Sequence, residues 1–357
     1  MRILHVITGL PKAAGTSVFC AEICNGLVGL GHDITIAVCN PDAVDCYPLD
    51  SQVNVISIEV LLKTSGRTLF DLVHIHALWT PILCRVARWS KQNEIPIVWS
   101  PHGMLTPWAL NNKKWKKRLA WRLYQKHWLL NANLLHATAE SEVVDLRRIG
   151  LGNKVVVVPL GVYASSDVEH VEHEDKKILL FVSRVQKKKG LMNLVEAWSR
   201  FPADMRRGWK VRIVGPDQEG HTVELKMACK RLGVSGDFVF VGPKFDKELE
   251  AEYAAADVFV LPTYSENFGS VVIEALSRHL PVICTTGAPW RELEVRRCGW
   301  WIDVGVDPLV GALKEAMGLS DRERRKMGTN GRQLVEEKYT WDVAVREMEK
   351  GYLLVSG

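Results

Sequence analysis

Short apolar runs alternate with longer stretches of helical periodicity along most of the chain. Ile3–Ile7, Ile34–Val38, Leu72–Ile75, Ile97–Trp99, Leu134–Ala137 and Val155–Pro159 are short, three- to five-residue apolar segments of the kind that form buried strands. Between several of them stand helical patterns such as Phe19–Gly29 and Pro81–Asn93. This rhythm predicts a parallel sheet covered by helices on both faces. After the polar, acid-rich stretch Asp167–Lys177, read as a linker, the rhythm restarts. The second series is Ile178–Ser183, Lys210–Val214, Phe238–Val241, Val258–Leu261, Pro281–Cys284 and Gly299–Ile302. The expected fold class is therefore α/β, with two doubly wound, Rossmann-like parallel-sheet domains facing across a cleft. The boundaries are set at 1–165 and 166–339. Such sheets bind ligands at the carboxyl ends of their strands, so chemistry is sought there.

Length and composition agree with this architecture. A chain of 357 residues, 47% hydrophobic and 24% charged, has the makeup of globular domains large enough to bury full cores. No apolar run approaches the roughly 18 residues of a membrane span. The start, Met1–Ile7, reads as a first strand that runs into a glycine loop, not as the core of a signal peptide. The eight cysteines are scattered, and Cys20 and Cys24 are spaced as helix neighbours in an apolar pattern. No C-x-x-C pairs with histidines at zinc-ligand spacing. Buried free thiols and a cytoplasmic location are expected.

The most informative segment is Ser265-Glu266-Asn267-Phe268-Gly269-Ser270-Val271-Val272-Ile273-Glu274. The apolar run Val258–Leu261, closed by Pro262, leads through this polar loop into a helical pattern. A helix start presents free backbone N–H groups, which favour a phosphate. Two acids flanking such a site suit the uncharged hydroxyls of a ligand whose middle is the anion. A glutamate, seven residues and a second glutamate resemble the donor-site motif of retaining glycosyltransferases of the GT-B fold, family 4. The resemblance extends over nearly the whole chain. It implies that Glu266 holds the sugar hydroxyls and Glu274 the ribose hydroxyls. Asn267 lies in the same donor loop, and Phe268, Gly269 and Ser270 would present backbone donors to the phosphates.

Other segments match the family in order. The run Ile178–Val182 ends in Ser183-Arg184, and Lys187-Lys188-Lys189-Gly190 opens the next helix. Arginine as a fork and lysine as a point charge neutralise a diphosphate. Arg184 and Lys189 match the family's arginine and lysine-glycine element, although Gln186 and Lys187 replace its usual proline or histidine. They are expected to stabilise the departing nucleotide diphosphate. Gly215, at the end of Lys210–Val214, and Val241 are expected beside the nucleotide, Val241 reading the base through its backbone.

The first domain is expected to supply the acceptor side, completed by a C-terminal helix over 340–357 that packs back on it, as the resemblance implies. Loop Thr8–Thr16 carries Gly9 and Gly15 but no G-x-G-x-x-G fingerprint. The family usually has paired glycines where Ala14-Gly15 stands here. Gly15 is assigned to the donor side and Thr16 to the acceptor side. His102, in Ser100-Pro101-His102-Gly103, takes the position of the family's active-site histidine and is expected to bond the donor sugar. His76 is a candidate for the acceptor wall. Alternation places His74 and His76 on one face of their strand, which also suits a buried side chain.

Charge is uneven. No acid occurs between Glu94 and Glu140, whereas Lys113, Lys114, Lys116, Lys117, Arg118, Arg122 and Lys126 all fall there. Without those seven the net charge of +5 would be −2. Trp115, Trp121, Tyr124 and Trp128 are interleaved with them. Basic aromatic helices settle at anionic membranes, so 113–128 is a candidate for peripheral contact at the inner membrane face. A solvated helix that buries its tryptophans against the sheet is the other reading. Nucleic acid is not expected.

The resulting expectation is a retaining, metal-independent hexosyltransferase with no cofactor. It would move sugar from a nucleotide-diphosphate donor to a glycan or lipid-linked glycan in cell-surface polysaccharide biosynthesis. UDP-sugar is the default donor and GDP-sugar the other open choice. Domain closure would exclude water. Retention without an obvious carboxylate nucleophile points to same-face attack, with a diphosphate oxygen taking the acceptor's proton. The competing readings are another GT-B enzyme, such as a nucleotide-sugar epimerase, and a non-catalytic protein that binds membrane or RNA.

Overall fold

The computed structural model describes residues 1–11, 14–43, 48–64, 69–163 and 176–356. The linker segment 167–175, Lys12 and Ala13 of the first loop, and Cys46 lie outside the described residues. Two compact units make up the chain: Met1–Gly161 with Trp341–Gly357, and Val162–Thr340.

The first unit contains β1 (Arg2–Val6), β2 (Asp33–Val38), β3 (Asn54–Ser57), β4 (Leu72–His76), β5 (Ile97–Ser100), β6 (Leu134–Ala137) and β7 (Val155–Val157). They form one sheet in the order β3-β2-β1-β4-β5-β6-β7, and every pairing is parallel. Alternation sends Leu4 and Val6 into one core and Ile3 and Ile7 into another, so both faces of the sheet are covered. The helix Gly15–Gly29 lies on the second face, together with the C-terminal helix Trp341–Ser356. The latter buries Trp341, Ala344, Val345, Met348 and Tyr352 there.

The second unit contains β8 (Lys177–Val182), β9 (Trp209–Val214), β10 (Phe238–Gly242), β11 (Val258–Leu261), β12 (Val282–Thr285) and β13 (Gly299–Ile302). Their order is β10-β9-β8-β11-β12-β13, again all parallel. Each sheet reverses its winding once, between β1 and β4 in the first unit and between β8 and β11 in the second. Strand order reverses at these places, and the loops leaving the two neighbouring strands splay apart to leave a crevice.

Three features differ from the sequence reading. The strand β3 was not anticipated: it has four residues, is polar at both ends and sits at the sheet edge. In β10 the register slips between Phe240 and Gly242, leaving Val241 as a bulge outside the ladder. The cysteines are free thiols, and six of the seven described are buried, but Cys39 is exposed just beyond β2. No helix among the described residues is long and apolar enough to cross a membrane.

Met348 has no exposed surface and joins the C-terminal helix to the first unit's core. Replacing it by alanine removes buried volume that the packed helix cannot recover. Met348→Ala is expected to destabilise that unit by about 2–5 kcal/mol in urea unfolding, with the second unit's transition unchanged.

Candidate functional site

In the second unit two loops converge at the carboxyl ends of the strands that flank the reversal. Ser183 to Gly190 follows β8, and Pro262 to Gly269 follows β11. Backbone bonds stitch them together: the Tyr264 N–H donates to the Lys188 carbonyl at 2.9 Å. Gly190 has φ +71, and a Cβ there would lie 1.9 Å from the Pro262 carbonyl oxygen, so only glycine lets the loops approach this closely. The β9 and β10 ends join through the Gly215 N–H, which donates to the Gly242 carbonyl at 2.9 Å.

Lys189 and Glu266 meet at this junction. Lys189 Nζ donates to Glu266 Oε1 at 2.6 Å, and the two side chains are only 8% and 14% exposed. Thr263 Oγ1 donates to the same oxygen at 3.0 Å. The Glu266 backbone N–H donates to the Gly287 carbonyl, on the loop after β12, at 2.7 Å. Glu266 is thus held through one carboxylate oxygen and through its backbone. Arg184 is exposed beside this pair in sequence and makes no hydrogen bond or ion pair among the described residues. Its guanidinium is available to a ligand.

Gly269, at φ +83, turns the chain into the helix Ser270–Ser277. The first N–H groups of that helix have no carbonyl of their own to bond. Phe268 is buried against Trp290 and Tyr339, with ring centroids 5.0 and 5.9 Å away. Its carbonyl accepts from Trp290 Nε1 at 2.6 Å, which pins the loop one residue before the turn. Glu274 comes one turn into the helix, and its Oε2 accepts from the Tyr253 hydroxyl at 3.0 Å. Burial pushes the Glu274 carboxyl above the usual range, while Tyr253, Arg278 and Ser270 oppose the shift. Asn267 is half-buried in the same loop, and the Val241 bulge opens its backbone at the end of β10.

In the first unit the reversal is lined by histidines. His5 on β1 is in register with His74 on β4, and His76 on β4 with Ser100 on β5. His102 follows β5 with φ +51, an uncommon conformation for a residue bearing a side chain. Glu142, buried behind it, accepts from the Gly103 N–H at 2.5 Å and from the Thr138 N–H at 2.9 Å, which fixes the turn. His102 is partly exposed, and burial followed by the neighbouring His76 and His136 keeps its imidazole well below the ordinary pKa. His76 has no exposed surface and is hydrogen-bonded to both His5 and His102. The acceptor-wall role expected of His76 is therefore corrected: its ring sits behind His102 and offers no face to a ligand. Gly15 and Thr16 open the helix Gly15–Gly29, at the carboxyl end of β1.

Two sets of potential metal ligands are buried here: His5, His74 and His76, and His5, Cys20 and Cys24. In the first set all six ring nitrogens already have hydrogen-bond partners. A cation would have to break that network, so the geometry favours the network.

The basic stretch folds as helical segments Pro107–Asn111, Lys114–Ala120, Trp121–Gln125 (a π-turn) and Lys126–Leu130. Its aromatic residues divide. Trp121, Tyr124 and Trp128 pack on the core, whereas Trp115 is 68% exposed. Leu119 and Leu123 continue the exposed side at four-residue spacing, 52% and 70% exposed.

Several residues of these sites drew no attention in the sequence: His5, Ser100, His136, Glu142, Tyr253, Thr263 and Tyr352. Three had a readable signal. His5 and His136 interrupt apolar strand runs and Ser100 ends one, and a polar group buried in a sheet requires a partner. The others become neighbours only through folding.

Comparison with known proteins agrees with this architecture. The family model "Glycosyltransferase Family 4" matches residues 13–165, and "Glycosyl transferases group 1" matches 164–334. A D-inositol 3-phosphate glycosyltransferase of Corynebacterium diphtheriae is 26% identical over 402 aligned positions, spanning 96% of this chain and 90% of the relative. Among solved structures, Thermosynechococcus elongatus sucrose-phosphate synthase superposes with a TM-score of 0.76 at 18% identity, covering 99% of both chains. Anabaena HepE in complex with UDP superposes with a TM-score of 0.77 at 16% identity, covering 99% of this chain and 100% of HepE. At such identities the structures speak for the fold alone, and the two consecutive family models speak for the class. The chain is a glycosyltransferase of the GT-B fold, belonging to family 4.

Proposed function

We propose that the protein is a retaining glycosyltransferase that takes its sugar from a nucleotide-diphosphate donor bound to the second unit, Val162–Thr340. The observation that carries this reading is the nearly dry Lys189–Glu266 pair at the β8/β11 reversal, with the free guanidinium of Arg184 near it in sequence. In the proposed complex Arg184, Lys189 and the N–H groups of Phe268, Gly269 and Ser270 take the diphosphate, whose charge grows as the glycosidic bond breaks. These cations do the neutralising work without a metal. Glu266 holds sugar hydroxyls, Glu274 the ribose, and the Gly215 and Val241 backbone the base. UDP is the proposed nucleotide, in line with the UDP complex of HepE.

The first unit, Met1–Gly161 with Trp341–Gly357, is proposed as the acceptor side, with Thr16 and His102 contributing. His102 bonds the donor sugar, and a diphosphate oxygen takes the acceptor's proton in a same-face displacement. A glycan or lipid-linked glycan of a cell-surface polysaccharide is the proposed acceptor. The inositol 3-phosphate relative supports a second reading, a phosphorylated cyclitol. Incubating enzyme, UDP-sugar and each acceptor class, with product mass measured, decides between them. Hydrolysis or epimerisation of donor alone would count against both.

Peripheral docking on an anionic membrane is proposed for 113–128. Trp115, Leu119 and Leu123 form an exposed apolar strip among seven cations, each worth about 1 kcal/mol near such a surface.

Three outcomes follow from this reading. Lys189→Met and Glu266→Gln should each lower transfer by about 10²–10³-fold, as for loss of one preorganised group, with circular dichroism unchanged. Retained activity in both would leave the site without a role.

Glu274→Gln should weaken UDP binding yet raise Tm at pH 8 by roughly 2–4 °C, the shift that about 1 kcal/mol gives in a unit of this size. The folded-state pKa of Glu274 is raised, so the wild-type carboxyl costs stability only above its unfolded pKa. At pH 4 the glutamine gain should disappear, as calorimetry at both pH values can check.

Vesicles rich in phosphatidylglycerol should sediment the wild-type protein, while phosphatidylcholine vesicles should not. A Trp115→Ala/Leu123→Ala double variant should stay in the supernatant, and binding should weaken with salt.

A further inference from the structure

Seven polar side chains of the first unit form a continuous hydrogen-bonded chain that ends at His102, the other six being buried. Starting from the far end, His136 Nε2 lies 2.8 Å from the Val158 carbonyl, and His136 Nδ1 lies 2.7 Å from Ser100 Oγ. Ser100 Oγ lies 2.6 Å from His74 Nε2, and His74 Nδ1 lies 2.6 Å from the Tyr352 hydroxyl. The Tyr352 oxygen lies 3.4 Å from His5 Nε2, and His5 Nδ1 lies 3.0 Å from His76 Nε2. His76 Nδ1 finally meets His102 Nε2 at 3.0 Å. Each member supplies one proton and one lone pair to the chain.

A carbonyl only accepts, so one end of this chain has a fixed sense. His136 must carry its proton on Nε2 and accept on Nδ1. Burial holds that ring uncharged, with its pKa pushed down to about 3. Ser100 therefore donates to His136 and accepts from His74. His74 then accepts on Nδ1 from the hydroxyl of Tyr352. Having donated its only proton, Tyr352 accepts from His5 Nε2. His5 accepts on Nδ1 from His76, and with one proton per ring His76 accepts from His102. Burial also holds His5, His74 and His102 below the ordinary imidazole pKa.

We propose that this one-way chain, anchored on the Val158 carbonyl, fixes the tautomer of His102, placing its proton on Nε2 and leaving Nδ1 as a lone-pair acceptor. Tyr352, His74, Ser100 and His136 are then positioning residues, and Tyr352 brings the C-terminal helix into the first unit's site. The ligand group that His102 recognises must donate a proton, so it is a hydroxyl and not a carbonyl or phosphate oxygen. This last step rests on the proposed sugar-binding role of His102; the tautomer itself does not.

The test is the ring ¹⁵N spectrum of the full chain, with His102 assigned by its disappearance in His102→Asn. No substrate or turnover is involved, so failure of the transferase reading would leave the result interpretable. The wild-type ring should show a protonated Nε2 and a pyridine-like Nδ1. Tyr352→Phe cuts the chain between His74 and His5, and Ser100→Ala cuts it between His74 and His136. Each should shift His102 from a single tautomer to a mixture. A wild-type His102 protonated on Nδ1 would overturn the proposal, whatever the variants do. A folded Tyr352→Phe or Ser100→Ala protein that keeps the wild-type tautomer would overturn it equally.

Discussion

The second unit's site is built around one contact that water barely reaches, the bond between Lys189 and Glu266. Two charges withdrawn from solvent cost several kcal/mol each unless their remaining valences are filled. Here they are partly filled: Thr263 bonds the same carboxylate oxygen, and the Glu266 backbone is tied to Gly287. Those bonds require the loops after β8, β11 and β12 to lie within one hydrogen bond of each other. That proximity in turn requires Gly190, whose missing side chain lets the Pro262 carbonyl approach. In the proposed complex a diphosphate competes for the ammonium and sugar hydroxyls for the carboxylate. A pair held together in advance keeps both groups in place until the ligand arrives, which is the kind of preorganisation that electrostatic catalysis depends on.

The first unit solves a different problem with the same topology. Its reversal point lies between β1 and β4, where the carboxyl ends of neighbouring parallel strands lie side by side. Placing five histidines near that edge would be costly if any ring nitrogen lacked a partner. The rings instead satisfy one another in sequence, using Ser100 and Tyr352 as connectors. Only His102, at a left-handed turn secured by Glu142, reaches partly into the open. Phe19 stacks on His136 at 4.8 Å and packs edge-on to His102 at 5.4 Å, so apolar contacts help to hold the polar row in one arrangement.

Much of the fold was legible because strands and helices differ in period. All six strand segments read in the second unit coincide with observed strands to within one residue at either end, and five of them are followed at once by glycine, proline or a charge. The strand β3 escaped because an edge strand needs little hydrophobicity. The candidate site was legible in part. Arg184, Lys189, Glu266 and His102 stand out as charged or polar residues in the loops that follow apolar runs. What they touch was not legible, and neither was the burial that takes His76 away from any ligand. In the basic stretch Trp121, Tyr124 and Trp128 turn inward, as the reading of a helix that buries its tryptophans expected, whereas Trp115 turns outward.

The sequence alone determined the two parallel sheets, their order along the chain and which strand ends carry chemistry, because periodicity and turn residues act over a few positions. Tertiary structure alone decided the contacts between residues far apart in the chain. Tyr352 reaches His74 across 278 positions and Lys189 reaches Glu266 across 77, distances over which local pattern holds no information. Those contacts arise when helices and loops pack on the sheets. Packing is also what removes water from the histidine row and from the ion pair, and so turns ordinary side chains into groups with fixed protons and fixed partners.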